Sequence, residues 1–317
     1  MGLDHRPATR WVIASSPDGQ SEPDHTMTLD RTHLRTEIND LYRRHHEDLG
    51  DTGTYRMLDE AKRWDLSGVL RGGGVVTFAH VNVEDCGLHV AAAVNGALDA
   101  GAETLLAISV LHAFTEEMEL ARRDVSSGGS PSSHPLWGIQ GPGLAFRDEW
   151  QGDHAMRSLR HFWEAETRRR GIRGRRLVER YPFLAGGKPE ALPNLDETVA
   201  LAKNAVIVAT GDQFHHGIAY GTPRDEAYEL GPEGLAAARK SMETGIAFIE
   251  AGDYWGYDQH CVSAKSDDRD AAQLYRFLTG PVGGTLIDIG VSDATDLYRQ
   301  PAPTWAAGGF IQFEKVA

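Results

Sequence analysis

The sequence has little that would tie it to a membrane, a nucleic acid or an oxidising compartment. Its 317 residues include only two cysteines, Cys86 and Cys261, far apart in the chain. That is neither a disulfide framework nor a thiolate zinc site, so a reducing cytoplasm is the expected setting. No run approaches the roughly 18 to 20 apolar residues of a membrane span, and the amino-terminal MGLDHRPATRW has no hydrophobic signal region. Positive charge is scarce too. The 32 Lys and Arg stand against 46 Asp and Glu, and the formal charge of −14 argues against a nucleic-acid or anionic-membrane partner. The one cationic run, Arg168-Arg169-Arg170 through Arg173, Arg175 and Arg176, reads as a solvated helix end or loop, with an anion-recognition patch as the alternative. Walker and dinucleotide fingerprints are missing, and Gly141-Pro142-Gly143 is too sparse for a phosphate loop.

What the chain does have is a repeated pattern. Gly74 to Ala79 is an apolar run ending on His80, and Thr104 to Leu111 is another ending on His112. A third, Val206 to Ala209, stops in Thr210-Gly211-Asp212, with His215 and His216 just beyond. Short continuous apolar runs are how strands buried on both faces read. In an open α/β sheet, ligands bind outside the carboxyl ends of such strands. One histidine at a strand end is usually structural; three with the same placement point to a site.

The rest of the chain is organised around these strands. Residues 1 to 70 form a helical amino-terminal extension or cap, with Leu34, Ile38, Leu41 and Tyr42 at helical spacing. His45 and His46 on that segment read as a polar helix face rather than a metal site. Residues 71 to 317 form a single α/β domain with a mostly parallel central sheet flanked by helices. GLHVAAAVNGAL, from Gly87, is a helix packed closely on the sheet and makes a right-handed βαβ unit. Cys86 at its start reads as a small buried hydrophobe. The Ser/Gly/Pro-rich stretch after His112 is expected to be a lid or rim. Asp148 to Trp163 is expected to be helical, placing His154 and His161 on one face, with Asp153-His154 as a substrate-contacting pair. Tyr181 to Pro193 reads as a connection and Gly252 to Gln259 as an aromatic loop. Pro232 to Ile249 is an amphipathic helix with Leu235, Ala238, Met242, Ile246 and Ile249 on one stripe. Asp270 to Leu278 is another helix, capped by Ser266, Asp267 or Asp268. Gly284 to Ile289 and Thr304 to Phe313 are the closing strands.

These residues resemble a known family. His80 after an apolar strand, then Cys86-Gly87 opening an Ala-rich helix, is similar to the "PHAGY…CG…AA" segment of Memo-family proteins, and His112 fits that family's second strand-end histidine. Thr210 to Gly217 resembles its "SSDFxHxG" motif, and Thr304-Trp305-Ala306-Ala307-Gly308-Gly309 its "xYAAG" strand. The Memo fold is shared with LigB-type (class III) extradiol dioxygenases, whose "TGG…SH" turn is similar to Thr210-Gly211 and His215. The resemblance covers roughly residues 74 to 313, in order.

The resemblance implies His80 and His112 as ligands of a divalent metal, most often non-haem Fe(II), with Cu or another divalent ion as alternatives. It implies His215 as acid/base and Asp212 as its orienting neighbour. The third ligand is expected at Asp293, in the loop before the last strand, or at Asp268 or Asp270, near the start of the penultimate helix. Two imidazoles and a carboxylate on one face of Fe(II) leave open positions for a bidentate catecholate and dioxygen, and a near-neutral histidine can take and return a phenolic proton. The family's "EHSxExHLP" segment begins with a match at Asp153-His154 but has Arg157 where its glutamate would stand, so substrate preference is not carried over.

Three functions follow as expectations. The first is a metal-dependent, extradiol-type dioxygenase or other oxygenase acting on a small aromatic or phenolic molecule and O2, with His215, Asp212 and His154 catalytic. The second is a Memo-like copper-binding redox protein. The third is a non-catalytic binding protein using the arginine run. The amino-terminal segment is left either to cap the site or to pair in a homodimer.

Overall fold

The computed structural model describes residues 31–144, 147–299 and 303–316. In chain order it gives α1 (Arg31–Glu60), α2 (Ser67–Arg71), β1 (Val75–Phe78), α3 (Val83–Asp99), β2 (Thr104–Ile108), α4 (Glu116–Ser126) and β3 (Gly138–Gln140). Then follow α5 (Arg157–Arg169), β4 (Arg176–Phe183), α6 (Leu195–Ala202), β5 (Val206–Thr210) and β6 (Phe214–Gly217). The chain closes with α7 (Pro232–Ala251), α8 (Tyr254–Ala264), α9 (Arg269–Thr279), β7 (Val282–Asp293), α10 (Thr295–Tyr298) and β8 (Thr304–Lys315). The first 30 residues of the expected amino-terminal extension lie outside the described residues.

The three apolar runs are strands, as their composition predicts, and every residue of β1 and β2 is buried. The sheet runs β3-β4-β2-β5-β1-β8-β6, with β7 along the other edge of β8. Its inner strands β4, β2, β5 and β1 are parallel. The flanks are antiparallel, with β3 on β4 at one side and β1, β6 and β7 all pairing β8 at the other. The sheet is therefore mixed, and "mostly parallel" holds only for its centre. The antiparallel side is larger than expected because β7 and β8 pair over nearly their whole length, from Val282↔Lys315 to Asp293↔Trp305.

Alternation along the strands divides the core into two layers. Val76, Phe78, Leu105 and Ala107 pack with α3, α5 and Leu58 of α1. Val75, Leu106, Ile108 and Ile207 pack with Tyr257 and Cys261 of α8 and Leu274 and Tyr275 of α9. Helix α3 starts where Asn82 accepts from the N–H groups of Glu84 (2.9 Å) and Asp85 (3.1 Å), a cap worth about 1 kcal/mol.

Three local readings change. The expected loop Gly252–Gln259 lies largely in α8, capped by Asp253 accepting from the Gly256 N–H. Leu235, placed on the buried stripe of α7, is exposed, whereas Ala238, Met242 and Ile249 are buried. Strand β4, the neighbour of β2, has no counterpart in the sequence reading. Its RLVERYPF run carries Glu179 in the middle, buried because Arg160 grips both carboxylate oxygens at 2.6 Å and Tyr181 donates at 2.6 Å. A charged strand is stable inside only once such partners exist, and the cationic one comes from helix α5.

Candidate metal centre

The parallel order of β2, β5 and β1 brings the carboxyl ends of those strands side by side, and with them His112, Asp212 and His80. His80 Nε2 lies 3.2 Å from His112 Nε2. Both face one carboxylate oxygen, Asp267 Oδ2, at 3.3 Å and 3.4 Å. His215 Nε2, from β6, reaches the same oxygen at 3.9 Å, and Asp212 Oδ2 stands 3.7 Å from His80 Nε2.

The other nitrogen of each of these imidazoles is occupied. The Thr210 hydroxyl donates to the Phe78 carbonyl (2.9 Å), so its oxygen accepts from His80 Nδ1 (3.2 Å). His112 Nδ1 donates to the Asp153 carboxylate (3.0 Å), and His215 Nδ1 to the Lys265 carbonyl (2.8 Å). In the neutral form of each ring, Nε2 therefore turns a lone pair towards the centre. This is the arrangement by which outer partners orient metal-ligating histidines. The carboxylate is fixed as well, because Asp267 Oδ1 accepts from the Asp212 N–H at 2.8 Å. Close approach needs small residues here. A Cβ on Gly211 would lie 2.4 Å from Asp268 Cβ, and one on Gly308 would lie 2.4 Å from Ala79 Cβ and 3.0 Å from Asp212 Oδ1.

The charges are coupled. Burial opposes protonation of His80 and His112, but Asp212 and Asp267 raise the first, and Asp153 with Asp267 raises the second to about 10. Burial would raise the carboxyls of Asp267 and Asp153, yet the facing imidazoles hold both well below the usual range. His154 goes the other way, because burial and the neighbouring His112 keep it neutral. The metal-free cluster thus holds protons where an ion would sit. A group raised in the folded state stabilises fully below its unfolded value of about 6.5, and that stabilisation is lost as pH rises through its folded value. Metal-free protein should therefore lose melting temperature between about pH 6.5 and pH 10, the folded value of His112. Saturating Zn(II) or Co(II), which replaces the proton, should suppress that loss in a thermal-melt series. Equal losses with and without metal would contradict this assignment of the charges.

No protein-family model matches the chain, and no curated protein matches it. The donor set is its own test of fit. Ligands about 2.1 Å from a shared ion stand ~3.0 to 3.4 Å apart at right-angle to tetrahedral geometry, and the three closest separations here are 3.2, 3.3 and 3.4 Å. His80, His112 and Asp267 fit one divalent cation.

The expected residues divide accordingly. His80, His112, Asp212, His215 and His154 come together. Asp212 does not orient His215 as expected; its Oδ1 accepts from the His80 N–H (3.1 Å) and so braces the ligand strand. His154 lies in the turn before α5, its ring stacked on His112 at 4.3 Å. His161, expected on the same helix face, instead stacks on His46 at 4.4 Å. The carboxylate that faces the two imidazoles is Asp267, not the expected Asp293, Asp270 or Asp268. Asp293 is exposed and accepts from the Thr295 N–H (2.9 Å); Asp270 accepts from the Ala185 N–H (2.7 Å). Asp268 turns to Gln213 (3.1 Å) and Tyr257 (3.0 Å). In the sequence Asp267 reads only as a helix cap, and its place two residues before α9 is the available signal.

His216 faces away from His215, accepting from the Tyr228 N–H at 3.1 Å. Cys86 is buried with its thiol on the Val81 carbonyl. The first three arginines of the run are paired within the chain, Arg168 with Asp51, Arg169 with Glu166 and Arg170 with Glu166 and Asp99.

The surroundings are aromatic. Phe114 lies 5.4 Å from His112 and 5.9 Å from His154, and Tyr220 lies 4.5 Å from His215, with Tyr298 beyond it at 5.2 Å. Among the described residues, no helix is long and apolar enough to cross a membrane.

Proposed function

We propose that the chain is a metal-dependent oxygenase of extradiol type, holding Fe(II) through His80, His112 and Asp267 and acting on a small aromatic or phenolic substrate with O2. The observation that carries this reading is the convergence of two imidazole Nε2 atoms on one oxygen of Asp267 at 3.3 and 3.4 Å. A two-histidine, one-carboxylate face leaves positions open for a substrate and dioxygen. The bound iron would supply the redox chemistry and the polarisation of substrate oxygens.

The protein's part is orientation and proton handling. His215 Nε2 faces the centre with its lone pair, and its Nδ1–H is locked on Lys265, so it can accept a hydroxyl proton from a substrate and later return it. Thr210, Asp153 and the Asp212 N–H keep the three ligands from turning away. Phe114, Tyr220 and His154 provide ring faces that suit a flat substrate and exclude water. The test is oxygen uptake by anaerobically purified, Fe(II)-reconstituted protein against catechols, aminophenols and related phenols. Substrate-dependent uptake by iron-loaded protein is the expected outcome; none across the panel would contradict oxygenase activity.

A second reading has an observation of its own. His154 brings a third imidazole into the group, and the donor atoms of His80, His112 and His154 all lie within 4.8 Å of one another. Nitrogen ligands without a carboxylate suit copper. Tight Cu(I) binding that survives Asp267→Ala would favour the copper-binding redox protein.

A further inference from the structure

Helix α1 is not one straight rod. At Gly50 the backbone takes φ 56° and ψ −176°, which breaks the helix into an arm, residues 31–49, and a body that follows. Only glycine adopts that conformation without strain.

The arm's polar side chains converge on two backbone stretches at the centre, one at His80 and the other at the turn carrying Asp153 and His154. Tyr42, 5% exposed, donates its hydroxyl to the main-chain carbonyl of His80. Asn39 Nδ2 donates to the Gly152 carbonyl at 2.8 Å, and Arg35 Nε to the same oxygen at 3.2 Å. Gly152 directly precedes Asp153 and His154. It has φ +80°, and a Cβ there would lie 2.6 Å from an Arg35 guanidinium nitrogen, so the turn is shaped to the arm. Arg157, on α5 just past that turn, donates back to the Asn39 side-chain oxygen. The Arg35 guanidinium also sits 5.5 Å over the ring of Phe114.

We propose that the arm is a strap that shapes the metal centre from outside the sheet. Tyr42 is a positioning residue for His80, and Asn39 one for the Asp153–His154 turn. Neither touches the ion. Tyr42 fixes the peptide on the carboxyl side of His80, while Asp212 fixes the N–H on the other side at 3.1 Å. The His80 main chain is thereby held from both sides while its imidazole is aimed by Thr210. The inference rests on the metal-centre reading above.

The experiment is Co(II) titration of the full chain, followed by its visible d–d spectrum, for wild type, Tyr42→Phe, Asn39→Ala and Thr54→Val. Thr54 lies on the same helix beyond Gly50 and contacts the Gly50 carbonyl (2.7 Å) and His161 (2.8 Å) rather than the centre, so its variant controls for loosening of the helix and its break without loss of a contact to the centre. Tyr42→Phe is expected to weaken Co(II) binding about 10-fold and to change the spectrum, as loss of an outer-shell partner does. The melting temperature of the metal-free protein should fall by no more than about 2 to 4 °C. Asn39→Ala should weaken binding in the same direction, and it carries the test if Tyr42→Phe does not fold. Thr54→Val should lower the melting temperature without changing affinity or spectrum. Unchanged Co(II) affinity and spectrum in Tyr42→Phe would overturn the proposal, and so would an equal loss of affinity in Thr54→Val. Wild-type protein that binds no Co(II) would overturn the metal centre itself and the strap's role with it.

Discussion

Asp267→Ala should abolish stoichiometric metal binding, whereas Asp293→Ala should leave it intact. The expected loss exceeds the roughly 10- to 100-fold that an outer partner costs, because Asp267 Oδ2 is the atom on which the His80 and His112 Nε2 atoms converge. Asp293 is exposed on the far end of β7, and its carboxylate serves the Thr295 N–H. Asp267→Asn separates charge from packing, since an amide oxygen can still accept from the Asp212 N–H. Metal content of each variant, measured after reconstitution and desalting, decides the matter. Equal metal content in Asp267→Ala and wild type would remove Asp267 from the ligand set and favour the three-imidazole group.

The second large effect is expected at His215. Its Nε2 is 3.9 Å from Asp267 Oδ2, further out than the 3.3 and 3.4 Å of the two strand-end histidines, and its ring is locked by the Lys265 carbonyl and packed on Tyr220. That placement suits a proton carrier beside the ion. His215→Ala should keep one metal per chain but lower substrate-dependent oxygen uptake by about 10²- to 10⁴-fold, the usual contribution of a positioned acid/base. Metal loss in step with the loss of rate would make His215 a ligand. An unchanged rate would remove it from the chemistry.

How much of this was legible in the sequence follows from where the information lies. The β1, β2 and β5 runs announce buried strands because nothing charged interrupts them, and a histidine at the end of such a run has few places to go. His80 and His112 were therefore readable, and their parallel strands bring them together; His215 was readable from its place just past the end of β5, on the antiparallel β6. Asp267 was not, because its role depends on the angle at which α9 meets the carboxyl end of β5. In one dimension Ser266-Asp267-Asp268 offers three equivalent caps. In space Ser266 binds the Asp212 carbonyl at 3.0 Å, Asp268 turns to Gln213, and only Asp267 looks at the imidazoles. Strand β4 was hidden for a related reason: Glu179 looks foreign to a buried strand until Arg160 and Tyr181 are seen beside it. The arm of α1 is the third case. Tyr42 fell on the expected helical stripe, but a hydroxyl reaching the His80 carbonyl is a tertiary contact that no spacing rule encodes.

The central claim is that His80, His112 and Asp267 hold one divalent ion. The most direct test is the iron content of anaerobically purified protein after Fe(II) reconstitution and desalting, beside His80→Ala and His112→Ala treated in parallel. The account predicts close to one iron per chain in the wild type and none retained in either variant. Wild-type protein that retains no iron, copper or other divalent ion would contradict it, as would variants that retain as much as the wild type.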